Sequence, residues 1–299
     1  MTTEGTPHGP FSPGTCAGRG AVLITGSSTG IGEACALELD RRNFRVFAGV
    51  RSDADGQRLQ QKASPRLTPV RIDVTDPETI AAAAETIRAA VGDSGLSGLV
   101  NNAGIVVSGP LELVPIDRLR SQLEVNVIGQ VAVTQAVLPL LRAGRGRIVN
   151  MSSISGLIAA PYLGPYAASK FALEAITDCL RVELRAWGIG VSVVEPGNVK
   201  TPIWGKARAS AEELAKKMPP EAEALYGPDI AAMRQATARM AETGMPVDRV
   251  VRAVVHALTA RRPKTRYPVG TQTHLAAIFW RFLADWTRDW IMRRELGLP

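Results

Sequence analysis

From residue 21 onward, short apolar runs alternate with longer stretches of helical periodicity. Seven runs rich in β-branched and apolar residues predict strands, at residues 21–25, 44–50, 67–74, 98–104, 146–153, 190–197 and 265–270. Residues 31–42, 77–92, 116–144 and 166–188 carry apolar side chains at helical spacing. The strand runs show little apolar–polar alternation, which is typical of strands covered on both faces. The pattern predicts an α/β fold: a single doubly wound Rossmann-type domain, with a seven-stranded, mainly parallel sheet and helices on both faces.

The alternation of strand and helix patterns is absent from the first 20 residues and changes in the last third of the chain. Residues 1–20 contain eight glycines or prolines and predict a flexible lead-in. Residues 205–245 are helical, charged and methionine-rich without a strand, which indicates a lid insertion rather than a second domain. Residues 271–296 predict an amphipathic helical tail. We therefore expect one domain over residues 21–299 that includes the lid and the tail.

Composition excludes a disordered chain, because 45% of the 299 residues are hydrophobic and the mean hydropathy is +0.04. The chain has 35 basic and 28 acidic residues, a net charge of +7. Residues 1–199 hold 18 of each sign, whereas residues 200–299 hold 17 basic and 10 acidic residues. The excess is thus confined to the last third, without basic residues interleaved with aromatic ones. This argues against nucleic acid as a partner.

The three cysteines, Cys16, Cys35 and Cys179, are odd in number and have no CxxC spacing, which favours a reducing compartment. The amino terminus lacks the apolar core of a secretory signal, and polar residues interrupt the longest charge-free stretch, 148–169. We expect a cytoplasmic protein without a transmembrane segment, with Cys35 and Cys179 in the core. His8, His256 and His274 match no metal spacing and predict structural or solvated roles, so no metal site is expected.

A glycine-rich turn lies between the first strand and the first helix. Gly26, Gly30 and Gly32 follow the strand in the order GxxxGxG. Glycine allows a tight turn there, and the amides that open the helix point at an anion. A turn without a ligand is the alternative. The position at a strand–helix junction near the start of the fold favours a phosphate-binding loop.

The end of the second strand indicates which nucleotide is bound. A carboxylate there would accept hydrogen bonds from a free ribose 2′-hydroxyl, whereas an arginine would pair with a 2′-phosphate. Neutral Val50 and then Arg51 occupy this position, so NADP(H) is favoured. NAD(H) stays open as an alternative, because Asp53 or Asp55 could approach a hydroxyl and Arg51 could simply face solvent.

Tyr166 and Lys170 form a Y-x-x-x-K pair on one helix face. A phenol is a poor base at neutral pH, and a neighbouring ammonium favours the phenolate. Ser153 closes a predicted strand thirteen residues earlier, at the sheet edge where ligands bind. The serine and the tyrosine can therefore converge on one carbonyl oxygen.

Together these motifs resemble the short-chain dehydrogenase/reductase family, and within it the members that act on lipophilic alcohols and ketones such as retinol and steroids. The sequence TGSSTGIG at 25–32 is similar to the family's coenzyme loop, NNAG at 101–104 to its central-strand motif, and EPGNVKT at 195–201 to the segment over the nicotinamide. Asn126, Ser153, Tyr166 and Lys170 match the catalytic tetrad in order and spacing. The 20-residue lead-in and the chain beyond Thr201 carry no family motif.

The resemblance implies hydride transfer between the nicotinamide and an alcohol or its carbonyl. Tyr166 would be the general acid or base, Lys170 would lower its pKa and bind the ribose, and Ser153 would hold the substrate oxygen. Asn126 would keep a water in a proton relay to Lys170, Asp73 would contact the adenine and Thr201 the carboxamide. The implied coenzyme contacts are Gly26, Ser28, Gly30, Ile31, Gly32, Arg51, Asp73, Val74, Asn102, Ala103, Gly104, Tyr166, Lys170, Pro196, Gly197, Val199 and Thr201.

The last third suggests the substrate and the partners. Methionines in the lid (Met218, Met233, Met240, Met245), with Ile203, Trp204, Leu214 and Leu225, favour a small lipophilic alcohol or carbonyl substrate, with ordinary helix packing as the alternative. Ser155 is a candidate substrate contact.

The tail has an aromatic stripe, which favours packing on its own domain or on a twin subunit. Peripheral membrane docking is the second interpretation. Residues 261–266 fit a solvated loop or an anionic contact, and a homo-oligomer is expected. The stripe comprises Leu275, Phe279, Phe282, Trp286 and Trp290.

Overall fold

Seven strands form one sheet in a computed structural model that describes residues 20–215, 219–270, 273 and 279–298. The order across the sheet is β3-β2-β1-β4-β5-β6-β7, and every neighbouring pair is parallel. The predicted doubly wound fold is confirmed, with a sheet that is parallel throughout. The strands are β1 (Ala21–Ile24), β2 (Arg45–Val50), β3 (Leu67–Arg71), β4 (Gly98–Asn101), β5 (Arg147–Met151), β6 (Gly190–Pro196) and β7 (Arg266–Val269).

Helices cover both faces of the sheet. Apolar residues of α1 and α9 pack on one face, and those of α3 and α5 pack on the other, so two apolar clusters enclose the strands. This double coverage explains why the strand sequences are almost continuously apolar. The helices are α1 (Gly30–Arg41), α2 (Asp53–Gln60), α3 (Pro77–Val91), α4 (Ile116–Leu123), α5 (Gly129–Ala143), α6 (Gly164–Glu183), α7 (Ile203–Ala215), α8 (Pro220–Thr243), α9 (Asp248–Thr259) and α10 (Asp285–Leu296).

A single π-helical turn over residues 124–128 joins α4 to α5, so residues 116–143 form one continuous helical stretch. In the described part of the chain, this is the one helix whose length and hydropathy would suffice to cross a membrane. Its α5 part packs against α3 and β4 and buries Val133, Val137 and Leu141. The stretch is therefore placed as a core helix of this domain.

The structure adds elements that the periodicity did not predict. Helix α2 follows β2 directly and begins at an N-cap, where the Ser52 hydroxyl accepts a hydrogen bond from the Asp55 amide.

The predicted lid, 205–245, contains most of α7 and all of α8, and the predicted tail contains α10. The lead-in up to residue 19 and most of 271–278 lie outside the described residues.

Two expectations about the core and the surface are wrong. Cys179 is exposed on α6, because the buried face of that helix runs through Leu173 and Thr177 and residue 179 lies off it. Leu225 on α8 is also exposed. Cys35 is buried as predicted, and His256 bonds the Tyr267 hydroxyl at 2.8 Å, a structural role. Cys16, His8 and His274 lie outside the described residues.

Candidate active site

The carboxyl ends of the central strands open into a cavity of about 460 Å³. It lies where the strand order reverses between β1 and β4, the place where open α/β sheets bind ligands. The structure brings the predicted residues together around it, with two exceptions, Gly32 and Asn126, described below. The predicted residues that line it are Gly26, Ser28, Gly30, Ile31, Arg51, Asp73, Val74, Asn102, Ala103, Gly104, Ser153, Ser155, Tyr166, Lys170, Pro196, Gly197, Val199 and Thr201.

The glycine loop has the geometry of a phosphate cradle. Gly26 and Gly30 have φ values of 66° and 64°, which L side chains rarely adopt. A Cβ on Gly26 would also lie 2.8 Å from the Ala103 Cα. Thr29, the N-cap of α1, makes no side-chain bond to the first amides of the helix. The amides at this helix end are therefore free of a side-chain cap and available to a phosphate.

Gly32 does not line the cavity, and its contribution is to packing. A Cβ at this position would lie 2.2 Å from the Gly26 carbonyl oxygen. The absence of a side chain therefore lets the first turn of α1 pack against the loop that precedes it.

The NNAG segment braces the same loop. Asn102 donates from Nδ2 to the carbonyl oxygens of Thr25 at 2.9 Å and Gly26 at 3.1 Å. The Thr25 hydroxyl accepts hydrogen bonds from the Asn102 and Ala103 amides, each at 3.0 Å. These bonds fasten the end of β4 to the end of β1, so they fix the floor of the cradle.

Arg51 and Asp73 lie at the end of the cavity that β2 and β3 supply. Burial acts to raise the pKa of Asp73, but hydrogen bonds from the amide and hydroxyl of Thr75, aided by Arg51, outweigh it and lower the pKa. Asp55 is occupied by Ser52 and Arg58 and does not line the cavity, and Asp53 does not line it either. Neither carboxylate is thus in place to accept from a ribose.

A second arginine, which the sequence did not single out, reaches the glycine loop. Arg58 on α2 donates to the Ser28 carbonyl oxygen at 2.5 Å and pairs with Asp55 at 2.7 Å. The one available signal was its place in α2, directly after the strand that ends at Arg51. Lys206 on α7 lines the cavity, and its charge helps to lower the pKa of Asp55, so it is a third cation near this end.

Ser153, Tyr166 and Lys170 lie close together in the wall of the same cavity. The Lys170 ammonium is buried, donates to the Met151 carbonyl oxygen at 2.7 Å and lies 5.7 Å from the centre of the Tyr166 ring. Ser153 follows β5 by two residues, and its hydroxyl is near enough to the Tyr166 phenol to lower the pKa of that group. The side chains that the spacing placed on one helix face and one strand end therefore converge.

Burial changes how these groups titrate. It raises the pKa of Tyr166, contrary to the lowering expected from Lys170, and the Ser153 hydroxyl offsets part of this effect. It also lowers the pKa of Lys170 to about 8, against the opposing influence of the Glu174 carboxylate. At neutral pH the phenol therefore carries its proton, and the lysine is still charged enough to favour the phenolate once the proton leaves.

Asn126 lies behind the cavity wall, in the π-helical turn, a feature frequent at functional sites. Its side chain is fully buried and bonds the Ile105 amide at 2.9 Å, the Ile105 carbonyl oxygen at 3.1 Å and the Ser169 hydroxyl at 3.1 Å. In this arrangement Asn126 links the loop after β4 to α6, next to Lys170, rather than bonding the lysine directly.

The lid and the two residues before it supply apolar walls. Ile203, Trp204 and Met240 line the cavity, and the Trp204 indole donates to the Val199 carbonyl oxygen at 3.0 Å. Met233 lines a smaller neighbouring cavity of about 70 Å³ that shares Trp204. Met245 instead packs against the core and pairs with Val199. Met218 and the side chain of Leu214 lie outside the described residues.

The tail also reaches the cavity. Ile291, Met292, Glu295 and Leu296 of α10 line it. The four aromatics of the predicted stripe that lie in the described residues, Phe279, Phe282, Trp286 and Trp290, are exposed. They therefore do not pack on their own domain, and packing on a twin subunit stays a prediction. Leu275 lies outside the described residues. Apart from Glu295, the residues that α10 turns towards the cavity are apolar, a division that the sequence could not show.

Comparison with known proteins places the chain among oxidoreductases. The short chain dehydrogenase family matches residues 20–212. The chain is 36% identical over 280 residues to the NADPH-dependent 3-dehydrocapnine reductase of Ornithobacterium rhinotracheale, covering 92% of this chain and 96% of that protein. It is 38% identical over 289 residues to retinol dehydrogenase 5 of Homo sapiens, covering 91% and 88% respectively.

A steroid enzyme and a solved structure extend these similarities. The 17-beta-hydroxysteroid dehydrogenase type 6 of Bos taurus is 38% identical over 287 residues, covering 93% of this chain and 89% of that protein. The crystal structure of a short chain dehydrogenase from Burkholderia cenocepacia, in complex with NADP, superposes with a TM-score of 0.68 at 26% identity. It covers 94% of this chain and 98% of its own.

Proposed function

The chain belongs to the short-chain dehydrogenase family and is an oxidoreductase that acts on CH–OH groups, and we propose that it transfers a hydride between NADP(H) and the alcohol or carbonyl group of a lipophilic substrate. The observation that carries the proposal is the convergence of Ser153, Tyr166 and Lys170 in the cavity that the glycine loop opens. The residues present fit a dinucleotide for two reasons. The first amides of α1 have no side-chain cap, and the turn of the glycine loop uses backbone conformations that only glycine adopts readily. When bound, the coenzyme supplies or accepts the hydride.

Tyr166 moves the proton. In reduction, its hydroxyl donates to the carbonyl oxygen as that oxygen gains negative charge, and in oxidation the phenolate accepts the alcohol proton. Ser153 donates a hydrogen bond to the same oxygen and holds it beside the phenol. Lys170 stabilises the phenolate by its charge, and the bond to the Met151 carbonyl oxygen holds the ammonium beside the tyrosine ring.

NADP(H) is the coenzyme that the charges favour. Arg51 lines the cavity at the end of β2, Arg58 reaches the glycine loop, and no carboxylate stands at this strand end in the described residues. A 2′-phosphate would meet these cations, whereas a free 2′-hydroxyl would find no carboxylate at the end of β2 to accept its proton. The NADPH-dependent relative and the NADP-bound neighbour support this choice.

Replacing Arg51 by aspartate should reverse the preference. We expect kcat/KM for NADPH to fall by about ten- to a hundredfold, because a charge-assisted contact is lost and a repulsive charge replaces it. The value for NADH should change much less. Steady-state kinetics with both coenzymes measures this, with Arg88→Asp on the exposed side of α3 as the control. An unchanged ratio of the two coenzymes would remove Arg51 from the assignment and favour the NAD(H) alternative.

The substrate end of the cavity is apolar. Ile158, Leu163, Ile203, Trp204 and Met240 form its walls, and the smaller cavity continues from Val106, Leu163 and Trp204. Such walls bind aliphatic or ring carbon and offer few partners to the hydroxyls of a sugar. The retinol and steroid relatives support a substrate of this class.

A panel of substrates with graded apolar size tests the proposal. It should run from hydroxy acids and short alcohols to long-chain alcohols, steroids and retinoids, in both directions and with both coenzymes, read by the absorbance of reduced nicotinamide. We expect kcat/KM to rise about three- to fourfold per added methylene until the cavity is filled, because each buried methylene contributes about 0.8 kcal/mol. A preference for hydroxy acids or sugars would contradict the lipophilic assignment while leaving the enzyme class intact.

The cytoplasmic location and the homo-oligomer remain proposals. A reducing compartment is supported by Cys35 and Cys179, which are both free thiols. Self-association is supported by exposed apolar side chains on α4 to α6, namely Ile116, Ile128 and Phe171. An oligomer built on this face would leave the cavity mouth, beside the lid and α10, open to substrate.

A further inference from the structure

The described part of the tail exposes aromatic side chains close together in the chain. Phe279 is 59% exposed, Phe282 85%, Trp286 75% and Trp290 56%. Soluble proteins commonly expose single apolar residues, but four large aromatics within twelve positions are a concentration that calls for a partner. We name these four residues the aromatic ridge.

Helix α10 has an aliphatic side and an aromatic side. Ile291, Met292 and Leu296 face the cavity, and Arg288 fixes the start of the helix by donating to the Trp280 carbonyl oxygen at 3.0 Å. Trp286 and Trp290 are four residues apart, so they lie on one side, and both are exposed. The ridge is therefore the outer surface of an element whose inner surface is a wall of the active-site cavity.

Charges are interleaved with the ridge. The Arg294 guanidinium lies over the Trp290 ring at 5.3 Å from its centre, and Asp289 and Arg293 are exposed on the same helix. The centre of a protein–protein interface is depleted of aspartate, so a second protein surface laid over the ridge would have to bury the Asp289 carboxylate. The headgroup layer of a bilayer accommodates tryptophan and arginine together, because tryptophan rings lie at headgroup level and arginine extends its charge into water.

We propose that the aromatic ridge docks on the surface of a lipid bilayer, with Trp286 and Trp290 as its anchors. Docking would bring the α10 wall of the cavity against the lipid, so that an apolar molecule could pass from the bilayer into the cavity without crossing water. Docking itself does not depend on the proposed function. This entry route does, because it requires a lipophilic substrate.

Vesicle binding by the full chain tests the surface. Phosphatidylcholine vesicles, and vesicles that also contain phosphatidylglycerol, are sedimented with wild type, with Trp286→Ser/Trp290→Ser and with Trp187→Ser. Trp187 is a matched control, since it is 48% exposed and stacked by Arg142 at 4.6 Å. It precedes the amino end of β6, whereas the cavity lies at the carboxyl ends of the strands. We expect partitioning of the double variant to fall about tenfold, and that of the control to stay within about twofold. Turnover of a short water-soluble alcohol should be the same in all three proteins.

Each outcome decides the proposal. Loss of vesicle binding in the double variant alone supports the ridge as a lipid-binding surface, whether or not the enzyme uses a lipophilic substrate. A wild type that does not sediment with either vesicle, or a double variant that binds as well as wild type, overturns it. If light scattering after gel filtration shows that the double variant has instead lost a subunit, the ridge is a subunit interface and the proposal is wrong.

Discussion

Tyr166→Phe is expected to reduce turnover by about 10²- to 10⁴-fold, the contribution of a positioned general acid or base. The substitution removes one hydroxyl from a half-buried ring and leaves the packing around it in place. Coenzyme affinity should therefore stay within about threefold of wild type. The loss should appear in kcat and in kcat/KM alike, because the proton transfer is an interaction of the transition state.

Two measurements separate a catalytic loss from a structural one. Steady-state assays give kcat and KM, and fluorescence titration with NADPH gives coenzyme affinity. Tyr226→Phe is the control, since the Tyr226 hydroxyl bonds Glu112 at the surface, away from the cavity, and its loss should leave kcat unchanged. Near-normal turnover of Tyr166→Phe would mean that another group carries the proton.

Arg266→Met is expected to reduce the free energy of unfolding by about 3–5 kcal/mol, the cost of leaving buried charges without their partner. Arg266 on β7 bonds Glu174, Glu195 at 2.7 Å and Asp178 at 2.9 Å. The carboxylates of Glu174 and Glu195 are almost fully buried. Methionine would fill the space of the arginine stem but would leave both charges with no counter-ion in this cluster.

Urea unfolding measures the effect. Arg88→Met is the control, because the Arg88–Glu85 pair is exposed and its loss should cost less than about 1 kcal/mol. Neutralising the partners by Glu174→Gln and Glu195→Gln in the Arg266→Met background should restore part of the lost stability. A loss in Arg266→Met no larger than that of the control would show that the cluster is not a stabilising network.

The cluster also predicts a dependence on pH. Burial, reinforced by Glu174, raises the pKa of Glu195 from 4.5 to about 6, against the effect of Arg266. Between these two values the folded state holds a proton that the unfolded state has lost, so Glu195 contributes stability that is lost as pH rises through about 6. In Arg266→Met this slope should be steeper, because the opposing cation is gone.

Much of the active site could be predicted because its residues are bound to local elements. The GxxxGxG spacing needs only a strand followed by a helix, and the positive φ values of Gly26 and Gly30 explain why glycine is required. Tyr166 and Lys170 share a helix face through their spacing alone. Ser153 follows from the rule that parallel strands present their carboxyl ends to ligands.

The residues that escaped prediction act across long sequence distances. Arg58 reaches Ser28, thirty positions earlier, through a helix that the periodicity did not reveal. The Arg266 cluster joins residues from 71 to 92 positions apart, and residues 261–266 gave no sign of it. Asn126 could be named from its motif, but its bonds to Ile105 and Ser169 depend on how α6 packs against the π-helical turn.

By itself, the sequence determined the strands, the glycine loop and the candidate residues Ser153, Tyr166 and Lys170, since each depends on periodicity or spacing within one element and its neighbour. Only the tertiary structure decided which side of α10 faces the cavity, which face of α6 exposes Cys179, and which carboxylates surround Arg266. The physical reason is that burial and ion pairing are properties of surfaces that meet. An amphipathic pattern shows that a face will be covered, but only the packed fold shows which element covers it.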